Sequence, residues 1–331
     1  MFESAKPLLR LALPALMALP VFYASQAVAQ AYPDKPIKLV VPFAAGGTTD
    51  ALGRIFAQAF SQSIGQSVVV ENRPGAGSAF GIDIVAKSPA DGYTLLWGSA
   101  DGLAVLPAIR TNLPYNAEKD LTPITLFAAA PFVYALHPSI PAKSVADFVR
   151  YAKANPGKIN YGSPGVGSVA HLATALLETR IGIKLTHVPY KGGSQAISDL
   201  ISGQIEMTTT SPTVILPFVQ AGSISAIAQT GQMRSPLLPN VPTMVEAGYG
   251  DFVVGSWFGL LGPANLPDGV TKALKETSER IKANPELQTQ FKQVGADLMD
   301  ARSIDFKAFI KDNIKMWKDV VSKAGIQVQT E

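Results

Sequence analysis

Residues 36–54 read PIKLVVPFAAGGTTDALGR, and the change of apolar spacing inside that stretch decides the fold class. Residues 37–43 form an apolar, β-branched run that predicts a short strand, and residues 44–49 are small. From Asp50 onward the apolar positions become Leu52, Ile55, Phe56, Ala59 and Phe60, a helical face. The unit is therefore strand, glycine turn, helix. A helix that starts this way leaves its first N–H groups unpaired beyond the carboxyl end of the strand, and its dipole adds partial positive charge there. An anion fits that place without a lysine. The same residues also satisfy a plain tight connection. No Gly-Lys-Ser/Thr follows, and Gly46 and Gly47 are adjacent, so neither a Walker loop nor GxGxxG is present. Asp50 favours the first helical turn but offsets the field an anion would feel. That points to a small ligand held by N–H groups, hydroxyls and water over a phosphate chain.

Residues 1–29 read as an export signal. Lys6 and Arg10 are followed by an apolar run, 11–23, broken by Pro14 and Pro20, and then by Ala27-Val28-Ala29 as a small-residue cleavage signature. The run is short for a membrane anchor. The chain has no cysteine, so it offers neither a lipid attachment point nor a disulfide framework. A soluble, exported, unanchored protein points to a periplasm. Removing Glu3, Lys6 and Arg10 lowers the formal net charge from +3 to +2. That mild charge, with no basic run and no aromatic–basic interleaving, argues against nucleic acid as a partner. A mature chain of about 300 residues predicts two domains with enough core to need no staples.

Farther along, residues 67–70, 78–86 and 93–97 predict strand, helix and strand, which completes βαβαβ and a parallel sheet with crossover helices. Gly75, Gly77 and Gly81 are spaced GxGxxxG. They suit a dinucleotide turn or, equally in kind, a glycine-rich turn with close helix packing; the acidic residue a dinucleotide site needs is not clearly placed. Residues 98–102 read as a loop that brings Ser99 within reach of the same crevice. Residues 121–136, which include Pro131, read as a long strand leaving one domain for the other. Residues 145–154 predict a helix begun by Ser144.

Residues 159–162 lead into Ser163-Pro164-Gly165-Val166-Gly167-Ser168, and residues 169–181 form a helix with Ser168 as its N-cap. This is a second anion-ready helix start, far from the first in sequence. Strands at 185–189, 205–207 and 224–229 and helices at 195–201 and 214–220 follow, with hydroxyls at 208–211 beyond one strand's carboxyl end. A short helix is expected at 243–248, a return crossing at 252–261, and a helical tail capped by Asp268 and Ser303 that packs back on the first domain.

The composition of these loops disfavours catalysis. No GxSxG is present, no pair of carboxylates stands out, and His137, His171 and His187 are scattered and lack zinc spacing. His171 lies beside the second loop, either as a site residue or as a satisfied structural histidine. Glycine, serine and threonine hold ligands and do not transform them. Two domains meeting on one small carboxylate would use both helix starts, at the strand carboxyl ends where open parallel sheets place ligands. Three or four charge-assisted hydrogen bonds, at roughly 1.5–3 kcal/mol each, support micromolar or tighter binding after costs.

Six segments in order carry a family resemblance: YPDKPI at 32–37 running into PFAAGGTTD, ENRPGAG at 71–77, DGYTLL at 91–96, YGSPGVGSVAHLA at 161–173, VPYKGG at 188–193 and LPNVPTMVEAGY at 238–249. Together they resemble the Bug-type solute receptors of tripartite tricarboxylate transporters over essentially the whole mature length. The resemblance implies a type II periplasmic-binding-protein fold, α/β, with two α/β domains, a ligand cleft between them and two crossing strands as hinge. The corresponding division is domain 1 at 30–130 plus 251–331 and domain 2 at 131–250. It implies a carboxylate ligand passed to transporter membrane subunits, with no cofactor, no metal and no enzymatic activity, in a monomer. The loop at 43–50 would hold one end of the ligand, partly through water, and the loop at 163–168 a carboxylate. The site expected on these grounds is Phe43, Ala44, Gly46, Gly47, Thr48, Thr49, Asp50, Ser99, Ser163, Gly167, Ser168, Thr209 and Thr210. Phe43 either covers an apolar or aromatic ligand body or belongs to the core. The hydroxyl-rich 208–212 region varies in the family, so the identity of the acid does not transfer: mono-, di- and aromatic carboxylates all stay open. Two other functions stay open as well, a clamp that docks on a signalling partner and a nucleotide-dependent enzyme using residues 75–81.

Overall fold

The chain runs, in a computed structural model, through Ile37–Val41 (β1), Thr48–Ile64 (α1), Val68–Asn72 (β2), Ala79–Ala86 (α2) and Thr94–Ser99 (β3). A π-helical turn, Asp101–Val105, then continues into Leu106–Ile109 (α3). Leu121–Pro131 (β4) and Val133–Leu136 (β5) follow, then Val145–Ala154 (α4), Asn160–Ser163 (β6), Val169–Ile181 (α5), Thr186–Pro189 (β7) and Gly193–Ile201 (α6). Met207–Thr210 (β8), Pro212–Gln220 (α7), Ser225–Gln229 (β9) and Gly255–Pro263 (β10) precede Asp268–Lys282 (α8), Pro285–Gln293 (α9), Asp297–Leu298 (β11) and Phe306–Lys323 (α10). The structure describes residues 1–2, 32–190, 193–250 and 252–327. From residue 3 onward the expected export signal lies outside them, as does part of VPYKGG. No described helix is long and apolar enough to cross a membrane.

Two mixed sheets organise two α/β domains. One has the order β11-β4-β10-β3-β1-β2, and the other β7-β6-β8-β5-β9. β1 pairs in parallel with both β2 and β3, as the βαβαβ reading requires. β6 likewise lies parallel between β7 and β8. β10 runs antiparallel between β3 and β4. The predicted long strand at 121–136 is two strands in two sheets, separated by Phe132. Gly255 pairs with Pro131, so the outgoing and returning segments lie side by side. Thr230 ties them together: its N–H donates to Phe132 O, its O accepts from Val254 N–H, and its hydroxyl bonds Val254 O.

The face of α1 matches its spacing. Leu52, Phe56 and Phe60 are buried, and Phe56 stacks on Trp97 of β3 with ring centroids 4.7 Å apart. Gly53 permits this approach, because a Cβ there would lie 3.0 Å from Val41 and 3.1 Å from Trp97. Gly81 in α2 likewise packs so closely that a Cβ would meet Pro42 and Arg73 O at 2.7 Å. Close helix packing accounts for that end of the GxGxxxG spacing.

Several local expectations are corrected. Residues 98–102 are not a loop: Ser99 ends β3 and Asp101 starts the π turn, because the apolar 103–109 run packs as helix. Residues 243–248 form turns and no helix. Asp268 is the first residue of α8 rather than its cap. Asp305, not Ser303, caps α10, accepting from the N–H groups of Lys307 and Ala308. α10 packs on the π turn and α3 of the first sheet's domain but also on α5.

Candidate functional site

The first helix start is built by Asp50. Its carboxylate is 3 % exposed and turned back into the loop. Oδ2 accepts from Gly46 N–H at 2.9 Å and Arg54 Nε at 3.1 Å, and Oδ1 accepts from Asn72 Nδ2 at 2.8 Å. Burial pushes this carboxyl up, but the donors from Arg54, Gly46 and Asn72 outweigh it and hold it below the usual range. Asp50 is thus a scaffold for the turn, and its charge is largely met by Arg54. Gly46 has φ +88, the left-handed conformation that needs glycine; Gly47 caps α1 in an extended conformation with φ −84. Ala44, Gly46 and Gly47 are exposed, and Thr48 and Thr49 are half-buried. The N–H groups of Gly47, Thr48 and Thr49 have no partner among the described residues. Phe43 is half-buried against the aromatic core, and its carbonyl accepts from Asn72 Nδ2.

β3 neighbours β1 in parallel, so their carboxyl ends share one sheet edge. The second helix start abuts that edge. Val169 N–H, in the first turn of α5, donates to Asp101 Oδ1 at 3.3 Å. Gly167, at φ +79, sits so close to α3 that a Cβ would fall 2.0 Å from Ile109 Cδ1. The two glycine turns, about 120 residues apart, thereby meet the same edge of the molecule.

The loop at 163–168 is internally laced. Ser168 caps α5 as its sequence position predicts: Oγ accepts from His171 N–H at 3.2 Å and donates to Gly165 O at 2.9 Å. Gly167 N–H donates to His171 Nδ1 at 3.1 Å. Ser163 is fully buried; its Oγ donates to Gly165 O at 3.0 Å and lies 2.7 Å from His187 Nε2. His171 and His187, far apart in sequence, stack at 4.0 Å, with His187 also on Tyr161 at 4.9 Å. Burial pushes both imidazoles down to about 4, with the neighbouring His187 adding to the effect on His171. Both are neutral near pH 7 and line a cavity of about 650 Å³ with Glu178, Lys184 and Lys323.

Other expected site residues are turned inward. Ser99 is 1 % exposed, its hydroxyl aimed at Asp101 Oδ2. Thr208 and Thr209 lie in β8, not beyond it; Thr209 Oγ1 pairs with Thr174 Oγ1 at 2.7 Å in the domain interior. Thr210 is half-buried at the strand end. Strand pairing with β5 drew these threonines into the sheet. The sequence reading missed Asp101, which joins the π turn after β3 to the start of α5. Its one visible signal was an acid standing alone in the otherwise apolar 94–109 stretch. Burial pushes its carboxyl above the usual range, against the N–H groups of Val169 and Asp101 and the Ser99 hydroxyl.

Comparison with known proteins bears on the family and the fold. The chain is 34% identical over 302 residues to BugT of Bordetella pertussis, covering 91% of this chain and 93% of that protein. Its structure resembles Rpa4515 of R. palustris with adipate (TM-score 0.79, 33% identity, 89% of this chain and 99% of that one). It also resembles MatC of Rhodopseudomonas palustris with bound malate (TM-score 0.74, 28% identity, 88% and 100%). Residues 52–326 match the family model described as "Tripartite tricarboxylate transporter family receptor", and the chain belongs to that receptor family.

Proposed function

We propose that this protein is an extracytoplasmic receptor that captures a small carboxylate by closing two domains on it and delivers it to the membrane subunits of a tripartite tricarboxylate-type transporter. The observation that carries the reading is the trio of N–H groups at Gly47, Thr48 and Thr49 that have no partner among the described residues, on a helix start at the same sheet edge that α5 approaches. Such groups accept an anion without a charged side chain. Phe43, Ala44 and the 46–49 backbone form one wall, and Gly167, Ser168 and Thr210 belong to the other; Asp50, Ser99, Ser163 and Thr209 support them from within. The domains are 30–130 plus 251–331 and 131–250, hinged where Thr230 ties Phe132 to Val254. The protein catalyses no reaction, uses no cofactor, reaches the periplasm by its first 29 residues and acts as a monomer. Bound adipate and malate in the two relatives support the carboxylate class.

Calorimetric titration of the mature protein with mono-, di-, tri- and aromatic carboxylates, paired with small-angle scattering, tests this. One-site binding at micromolar or tighter Kd with a smaller radius of gyration is expected. Absence of binding to every acid overturns it.

A further inference from the structure

The cavity of about 650 Å³ beside the two histidines is not used by the carboxylate reading. Its walls come from two parts of the molecule. Tyr161, His171, Glu178, Lys184 and His187 lie on or between β6, α5 and β7. Lys323 ends α10, which packs on the π turn and α3 as well as on α5.

Most polar groups in this lining are donors. Gly167 N–H donates to His171 Nδ1, and a neutral imidazole carries one proton, so that proton sits on Nε2. His171 Nε2 and the Tyr161 hydroxyl have no partner among the described residues, and neither atom is sealed from solvent. Lys184 and Lys323 enter no ion pair among the described residues. Both lysines are exposed while Tyr161 and His171 are buried, so charge stands at the mouth and neutral donors at the floor. Glu178 is the one carboxylate in the lining. Its Oε1 accepts from Leu185 N–H at 2.7 Å, and Lys184 offsets its charge.

Four donor groups approaching from floor and mouth call for an acceptor-rich guest. A tetrahedral oxyanion presents oxygens in several directions at once, whereas a carboxylate presents two in one plane. A lysine ammonium meets phosphate as a point charge, and such charge-assisted bonds are about twice as strong as neutral ones. The cavity is larger than one phosphate ion, and Ile183 and Leu185 add apolar wall, so there is room for a phosphate that is free or carried on a small organic body.

We infer that this cavity is a second binding site, for a phosphate group, and that its occupant steadies the 163–168 loop through His171. An acceptor on Nε2–H polarises the ring and makes Nδ1 a better acceptor for Gly167 N–H. The site stands without the carboxylate-receptor reading; its effect on ligand affinity rests on that reading.

Calorimetry on the mature protein, in a phosphate-free zwitterionic buffer, uses inorganic phosphate, glycerol 3-phosphate and phenyl phosphate, with chloride at equal ionic strength as control. Saturable one-site binding is expected, and the tightest of the three tells free phosphate from an ester. Lys184→Gln and Lys323→Gln are each expected to weaken it about tenfold, and Tyr161→Phe, which keeps the ring on His187, about fivefold. Absence of saturable binding by all three probes overturns the inference. Binding that every variant leaves unchanged lies elsewhere on the molecule and overturns it as well. If Tyr161→Phe does not fold, the two lysine variants, both on exposed side chains, decide. The best-bound acid is then titrated with and without saturating phosphate. Its Kd is expected to tighten about threefold or more, and the phosphate Kd by the same factor. Competition between the two would put the phosphate in the carboxylate site and overturn the inference, and an unchanged Kd removes the link through His171. If no acid binds at all, the receptor reading falls while the phosphate titrations still decide the cavity.

Discussion

His171 Nδ1 accepts the Gly167 amide at 3.1 Å while its ring stacks on His187 at 4.0 Å, so the backbone of the second loop depends on an uncharged imidazole. A proton on Nδ1 would set donor against donor and add positive charge beside a second histidine. Both imidazoles are held down to about 4 by burial, and among the described residues no carboxylate is bonded to either ring; Tyr161, Glu178, Lys184 and Lys323 line the same cavity. Because the folded pKa lies below the ordinary histidine value near 6.5, the unfolded chain binds more protons in between. Stability is therefore full above about pH 6.5 and falls as pH drops toward about 4, by about 2–3 kcal/mol from His171. His187 is more exposed and adds less, since solvent screens it. Denaturant melts at a series of pH values are expected to show this slope, and His171→Asn, which keeps an acceptor near Nδ1, to flatten it.

Gly46 and Gly47 separate conformation from space. Gly46 has φ +88, so Gly46→Ala is expected to cost about 1–2 kcal/mol from backbone strain. At Gly47 φ is −84 and a Cβ would meet nothing within 4 Å. Gly47→Val is expected to leave the Tm within a few degrees yet weaken carboxylate binding at least tenfold by crowding the open amides. Loss of fold in this variant, read by circular dichroism, would show that the glycine is structural.

Ser168 caps α5 and also bonds Gly165 O. Ser168→Ala is expected to cost about 1 kcal/mol of stability, the ordinary value of an N-cap, and to loosen the loop enough to weaken binding about tenfold. Chemical denaturation and calorimetry on one preparation measure the two effects side by side.

Removing the Asp50 carboxylate leaves three donors without their acceptor: Gly46 N–H, Arg54 and Asn72. Asp50→Ala is expected to destabilise by about 2–4 kcal/mol. Its carboxyl is held below the usual range, so its contribution is present above about pH 4 and is lost as pH falls below that. A variant as stable as the parent would mean the turn holds its shape without this anchor.

The change of period at Gly46-Gly47 was enough to place β1 and α1, because strand and helix spacing are local properties of the chain. Ser168 was legible as a cap for the same reason: an N-cap reaches only three residues ahead. The order of the motifs also revealed the receptor family. What the sequence left undetermined was where hydroxyls and carboxylates point. The threonines at 208–210 read as a loop edge, but pairing with β5 turned Thr209 toward Thr174. His171 and His187 looked scattered and are stacked, because β6 and β7 lie side by side. Asp101 looked like one acid in an apolar run, and only the approach of α5 to β3 gave it Val169 as a partner. Local periodicity is written residue by residue along the chain, whereas the partner of a polar side chain is whatever group folding brings within about 3 Å.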